Sequence, residues 1–565
     1  MYDEQGYGVM HHRCHMPRAS GDYILTAFPG IELIDTNSGD VKHHSWIRGA
    51  CVYGFMPANG LIYAPPHPCA CYMLAKLNGF LAVAPARKNP QPELEPIDKQ
   101  SGPLRGPAFG KTGDGHSQSA ESWPTYRGDA ARSGRYAGVL PTTLKPAWKT
   151  QLAGELTQPV IAEGRLFAVS TDRRELHAVD ADSGELVWSR NLGGMVDSAP
   201  TCHKGMVIFG SRDGCVYSLR ASDGELAWQF RAAAADRRLV SYNRVESVWP
   251  VHGSVLVHDD VLWFVAGRSS FLDGGLFVYR LDPETGTRLS VTKVCMLGAD
   301  GSQPPILAEA IQPTDVGGRM ATRLDMAGAK PDVLSCDGER VFMRHYTFDL
   351  QGKSTDQNVD HLFSPTGFLD DSWFRRTYWL YGNYYVGGAQ GWAWAGNFRP
   401  SGRIMSIGVD SIFGFGRDKY PPSPGNAHQM YAAGEKEFFF RVEKHRTAGE
   451  QAGKQARGRR SQDGERTKAV TYGWSILADL QVRAMLLANH DDVLLVAGAK
   501  GDWITSQDAY EGKLGSTLRV LSTNDGKTIS EYALSSPPRF DGISAARGKV
   551  YMAMQDGSIR CWSQQ

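Results

Sequence analysis

The segments AEGRLFAVSTDRRELHAVDADSGELVW (162–188) and HKGMVIFGSRDGCVYSLRASDGELAW (203–228) are two copies of one pattern. In each, a Gly precedes an apolar run, a polar turn leads into an alternating run, and the unit closes on a Gly-containing turn and a Trp. Alternation at a period of two sends successive side chains to opposite faces, so these runs read as strands. Trp188 and Trp228 lie 40 residues apart, as do Gly184 and Gly224. That is the length of one four-stranded propeller blade.

Looser copies flank the pair. DYILTAFPGIELIDTNSG (22–39) and ANGLIYAPPHPCACYMLAKLNGFLAVAP (58–85) precede it; VLWFVAGRSSFLDGGLFVYRLDPETG (261–286), ERVFMRHYTFD (339–349), DSIFGFGRDKY (410–420), DVLLVAGAKGDW (492–503) with TLRVLSTNDG (517–526), and GKVYMAMQDGSIRCWS (548–563) follow it. No closing strand follows the last unit, whereas LKPAWKTQL (144–152), ahead of the first clear repeat, has the composition of one. Pairing of the two would close a ring and remove exposed sheet edges. The expected fold is therefore an all-β propeller of about seven, or eight, four-stranded blades. Residues 1–90 read as two further blades, 91–122 as a Pro/Gly/Ser-rich flexible linker, and 123–565 as the main propeller with loop insertions near 350–400 and 444–468.

Composition narrows the function. With 61 basic and 60 acidic residues the formal net charge is +1, which offers nothing to nucleic acid or an anionic membrane. No run of about 18 apolar residues suggests a membrane span. The N-terminal MYDEQGYGVMHHRCH lacks a signal peptide's basic, apolar and cleavage regions. It is the start either of a cytoplasmic protein or of a chain whose true beginning is missing.

The units with AVDADSGELVW and SLRASDGELAW resemble the PQQ-like β-propeller repeat superfamily, shared by quinoprotein alcohol dehydrogenases and the assembly lipoprotein BamB. More narrowly, WPTYRGDAARSG (123–134), VWPVHGSVLV (248–257), AGRSSFLDGG (266–275), HLFSPTGFLDDSWFRRTYWLYG (361–382) and RGACVYGFMPANGLIYAPPHPCACY (48–72) look like PQQ-like repeat proteins of planctomycetes. The resemblance covers nearly the whole chain. It implies a periplasmic or extracellular location and a stretch that follows an upstream propeller. The group's usual DSWFHRTYW has a His where this chain has Arg375, so any role of that His does not carry over. Catalytic quinoproteins hold the quinone between an adjacent cysteine pair and a Trp, beside calcium and an Asp base. This sequence has neither Cys-Cys nor CxxCH, so PQQ with calcium is only weakly implied.

The nine cysteines include Cys69 and Cys71 in PPHPCACY, with Cys14 and Cys51 as nearby partners. In an extended chain, residues two apart sit about 6.5–7 Å apart on one face, at or beyond disulfide reach. Two disulfides to Cys14 and Cys51 are one reading. Zinc or copper held by thiolates with His11, His12, His15 or His67 is the second, and inert buried thiols are the third.

Propellers bind ligands at the central channel or on the loops of one face. The densest candidate is 361–403, with His361, Asp370, Asp371, Trp373, Arg375, Arg376 and Tyr378, beside Trp379, Tyr381, Trp392 and Trp394. Aromatic faces with carboxylates and guanidinium groups suit carbohydrate, although the same aromatics would serve as blade packing. A second cluster, Arg344, His345 and Tyr346, holds the cation and base that a polysaccharide lyase needs. In a strand, however, only Arg344 and Tyr346 would share a side. A third, Arg244, Glu246, Trp249 and His252 with Arg268 and Asp273, would line the channel mouth. The resulting expectation is a secreted or periplasmic binding scaffold for polysaccharide or another protein, with a PQQ-dependent dehydrogenase and a propeller lyase as alternatives.

Overall fold

The spacing of Trp and Gly finds its physical reason in how neighbouring sheets dock. A computed structural model describes residues 15–27, 30–50, 52–66, 73–85, 102–111, 121–241, 243–298, 313–316, 319–322, 328–355, 359–372, 378–383, 399–416, 437–444, 470–501 and 506–565. Trp188, on the outer strand Leu186–Asn191, donates its indole N–H to the Ala221 carbonyl of the next sheet at 3.1 Å. Gly224, in the left-handed region at φ 73°, leaves room for that ring: a Cβ there would sit 2.9 Å from Trp188. The arrangement recurs. Trp228 donates to the Pro283 carbonyl over Gly286, and Trp474 to the Thr523 carbonyl over Gly526. A Gly is required at each point both for positive φ and for the close approach of the indole.

From Val160 to Gln564 the described residues form eight sheets of three or more strands. They begin, in chain order, at Val160, Thr201, Leu256, Ser335, His361, Ile404, Leu480 and Pro538. All strand pairs within them are antiparallel, and the inner strand of one sheet lies against that of the next. Val160–Ala162 touches both Thr201–His203 and Pro538–Ala546, and Leu480–Ala488 touches Ile404–Ile407 and Pro538–Ala546. Ring closure follows the sequence expectation. Leu144–Gln151 pairs with Ser558–Gln564 as the outer strand of the last sheet, and its Trp148 docks over Gly184 of the first sheet. The fold is thus an all-β propeller. Apolar faces such as Val160, Phe167, Val207, Ile404 and Val482 meet between sheets in continuous clusters. Stacking sheets in this way buries what an isolated four-stranded sheet would leave wet.

Two features depart from a plain ring. Residues 18–44 and 56–83 make a four-stranded and a three-stranded sheet around their own small core of Leu25, Ile31, Ile47, Phe55 and Ala64. Within the stretch expected to be a linker, Leu104–Arg105 is a strand on the outer edge of the second sheet, paired with Trp228 and Gln229. Among the described residues no helix is long and apolar enough to cross a membrane.

Candidate functional site

The repeat delivers polar groups to one end of the channel from two recurrent places. One is the segment just before an inner strand: Asp197 before Thr201–His203, His252 before Leu256–His258, and Asp332 before Ser335–Cys336. The other is the turn after the second strand: Arg212 after Met206–Gly210, Arg268 after Val261–Ala266, and Arg344 after Arg340–Met343. Successive sheets therefore bring an acid or imidazole and a guanidinium to the same level, where they pair.

A cavity of about 950 Å³ opens there. Its walls include Glu155 and Gln158 ahead of the first sheet, Asp197, Arg212, Arg244 and His252 from the second and third, Asp370 and Asp371 after His361–Phe363, and Arg539 in the last sheet. Lys76 and Asn78 of the N-terminal unit close another side. The volume is in the range of small-molecule sites, and charged side chains of both signs stand among apolar ones in its lining.

The best-ordered wall is built on Asp197. Its carboxylate accepts from His252 Nδ1 at 2.9 Å, the Gly253 amide at 2.8 Å and Ser198 Oγ at 2.9 Å, with Arg212 Nε at 3.5 Å. Burial opposes the charge, but His252, Arg212 and the Gly253 amide outweigh it and hold the carboxyl well below the usual range. Arg212 also reaches Glu246 at 3.2 Å, and Glu246 is bound in turn by Arg268. Arg244 lies against the Met195 thioether and makes no ion pair to a described carboxylate. Across the cavity, burial raises the Asp371 carboxyl, opposed by Arg539 and reinforced by Asp370. Asp371 is open to cavity water yet surrounded by protein, which accounts for both its accessibility and its shift.

Of the third sequence cluster, expected to line the channel mouth, only Arg244 and His252 are lining residues of the cavity. Arg244 and His252 face the cavity, with Glu246 and Arg268 behind them. Trp249 is fully buried, donating to the Asp273 carbonyl at 2.9 Å, and the Asp273 carboxylate meets Arg237 at 3.4 Å. Asp370 and Asp371 line the cavity as well. Other candidates are structural. The second cluster is not a strand: Arg344, at φ 54°, and His345 form the turn between Met343 and Tyr346. Arg344 is spent on the carbonyls of Pro365 (2.5 Å), Pro331 (3.2 Å) and Thr366 (3.3 Å), 3.8 Å from Asp332. Tyr346 packs against a sheet core, so the geometry expected of a lyase there is absent.

His361 stacks on Phe342 at 4.0 Å, with its ring nitrogens at the Val359 and Arg344 carbonyls. Tyr378 and Trp379 are buried, the latter under Arg127 at 4.5 Å. They serve as inter-sheet packing and do not form a sugar platform. Trp373, Arg375, Arg376, Trp392, Trp394, His11, His12, Cys14, Cys51, His67, Cys69 and Cys71 lie outside the described residues. Cys202, Cys215, Cys295, Cys336 and Cys561 are free thiols.

Asp197, Arg212 and Arg539 were not singled out from sequence. A signal was present for Arg212: FGSR, VAGR and VFMR each place an Arg within two residues of the end of a second strand.

The cavity fits a quinone cofactor poorly. Its cations suit an anionic ring system, but no Trp or Cys is among the described lining residues, and the described residues hold no group of three or more metal-ligating side chains.

Residues 132–294 match a family model described as outer membrane protein assembly factor BamB. The BamB of Burkholderia pseudomallei (strain K96243) is 28% identical over 184 residues, 31% of this chain and 46% of that protein. That of Yersinia pestis is 33% identical over 91 residues, 15% and 23% respectively. The chain spans less than half the length of these curated relatives. Among solved structures, quinohemoprotein alcohol dehydrogenase from Comamonas testosteroni is similar at 14% identity and TM-score 0.45, covering 78% of this chain and 80% of that one. BamB from Moraxella catarrhalis is similar at 12% identity and TM-score 0.31, covering 74% and 100%. Over residues 132–294 the chain is thus similar in sequence to BamB-type PQQ-like repeats.

Proposed function

We propose that this chain is a binding propeller of the cell envelope whose central cavity takes a small acidic, hydroxylated molecule, of the class of hydroxy acids or acidic saccharides. The observation that carries this reading is the wall of the 950 Å³ cavity. Arg244 has no described carboxylate partner and Arg539 meets Glu155 only at 3.6 Å, so guanidinium groups face the cavity where an anionic group would sit. Asp370 and Asp371 supply acceptors for hydroxyls. Among the described lining residues the aromatic side chains are few, which favours recognition by charge and hydrogen bonds over stacking on an extended sugar face. Thermal-shift measurements on the full chain with uronic acids, hydroxy acids and matched neutral sugars test the reading. Stabilisation by the acids and not by the neutral sugars is expected; equal or absent response to both sets would overturn it.

A second reading, a scaffold for another protein, draws on the match of 132–294 to an outer membrane assembly factor. It predicts co-purification of a defined envelope protein whether or not the cavity is filled. The envelope location draws on the same resemblance.

A further inference from the structure

His252 stands apart from the other ring and carboxylate groups of the channel because one of its two nitrogens is fixed and the other is left unused. Nδ1 is 2.9 Å from Asp197 Oδ2. Asp197 is anchored from the opposite side by the Gly253 amide and Ser198 Oγ and is approached by Arg212. A buried carboxylate at that distance takes the imidazole N–H, so the neutral ring carries its proton on Nδ1 and its lone pair on Nε2. Nε2 makes no hydrogen bond to any described residue, while the side chain keeps 18% exposure and forms part of the cavity wall. Arg244 lines the same cavity, with Arg212 and Glu246 behind the carboxylate and Asp332 acting on the ring through space.

We infer that His252 and Asp197 form a hydrogen-bond-accepting dyad, in which a hydroxyl of the bound acidic molecule donates to His252 Nε2 while Arg244 holds its carboxylate. The inference rests on the reading of the cavity as an acid-binding site only for the identity of the ligand. The orientation of the ring is independent of it. No proton leaves the ligand: its hydroxyl donates a hydrogen bond to Nε2, while the ionised Asp197 accepts the Nδ1–H and holds the ring so that the Nε2 lone pair faces the ligand. Serine is not required nearby, because the dyad polarises a group that the ligand brings.

His258 provides an internal reference. It has 20% side-chain exposure, close to that of His252, but its Nε2 faces the Gly338 carbonyl at 3.3 Å and Asp259 at 3.5 Å. The test is acylation of the full chain by diethyl pyrocarbonate at pH 7, followed by peptide mass spectrometry. The oriented lone pair predicts that His252 reacts several-fold faster than His258, and that Asp197→Asn slows His252 without changing His258. D-glucuronate at millimolar concentration is expected to protect His252 alone. The wild-type comparison needs no variant, so it decides the matter even if Asp197→Asn unfolds. A rate at His252 no greater than at His258 would overturn the dyad. Fast modification with no protection by glucuronate would leave the dyad standing and overturn the acidic-ligand reading.

Discussion

In the second and third sheets Arg212, Asp197 and His252 meet at the cavity. In the fourth, Arg344 and Asp332 hold the matching places in the repeat, and an imidazole comes from His361 on the inner strand of the fifth. On the first side the carboxylate engages His252 and Arg212, and imidazole Nε2 is left facing the cavity. On the second, the main chain consumes the side chains: Arg344 donates to three carbonyls, Asp332 accepts from the Val333 and Phe368 amides, and both His361 nitrogens meet carbonyls. The difference teaches that binding capacity in such a ring is decided less by residue type than by how many irregular backbone groups lie within reach. The described segment after His361–Phe363 presents the Pro365 and Thr366 carbonyls, which take Arg344 as their donor.

The comparison can be broken most forcefully on the structural side. Removing the guanidinium by Arg344→Ala leaves Asp332 and the Pro365, Pro331 and Thr366 carbonyls without it in a buried place, and is expected to cost about 3–5 kcal/mol. Urea unfolding checks this, and a loss under about 1 kcal/mol would show that Arg344 is not a structural strut. Asp197→Asn should cost about 2 kcal/mol at pH 7 and carry a distinctive pH dependence. Because the folded carboxyl is held below its unfolded value, its contribution is complete above about pH 4 and is lost as pH falls through the folded pKa. The difference between variant and parent should therefore shrink progressively as pH falls below about 4, and a constant difference between pH 7 and pH 3 would contradict the assignment.

A smaller effect of opposite sign is expected beside Asp332. Lys330 is buried, makes no hydrogen bond or ion pair among the described residues, and is pushed well below the ordinary lysine range by burial and by Arg344 and Lys76. The unfolded chain holds that proton more tightly, so stability rises with pH between the folded pKa and about 10.4. Lys330→Met is accordingly expected to stabilise the chain by about 1 kcal/mol at pH 7 and to remove that slope. Its melting temperature measured at pH 7 and pH 9 checks both. Arg244→Ala, at the cavity wall, should change stability by less than about 0.5 kcal/mol while abolishing binding of acids.

Much of the ring was legible because its determinants are local. Trp188, Gly184, Trp228 and Gly224 recur at a fixed spacing, and each pair is explained by one indole over one glycine. The closing strand was legible from the composition of 144–152 and from the lack of a closing strand after the last unit, and Trp148 over Gly184 shows the same indole-on-glycine contact. The linker strand Leu104–Arg105 was not, since two residues against a sheet edge leave no periodicity to read. At the site, Arg244, His252, Asp370 and Asp371 could be picked out by their grouping in sequence. Asp197 and Arg539 could not, because they stand alone in their segments and acquire partners only when distant sheets converge. The turn Arg344–His345 was read as strand because its flanks alternate, and only the pairing of Met343 with Tyr346 exposes the reversal.

Isothermal titration of D-glucuronate into the parent chain, Arg244→Ala and Arg190→Ala tests the binding account most directly, since Arg190 is an exposed guanidinium away from the cavity wall. Saturable binding to the parent and to Arg190→Ala, with loss in a normally folded Arg244→Ala, is the predicted result. Equal binding to all three proteins, or none to the parent, would contradict it.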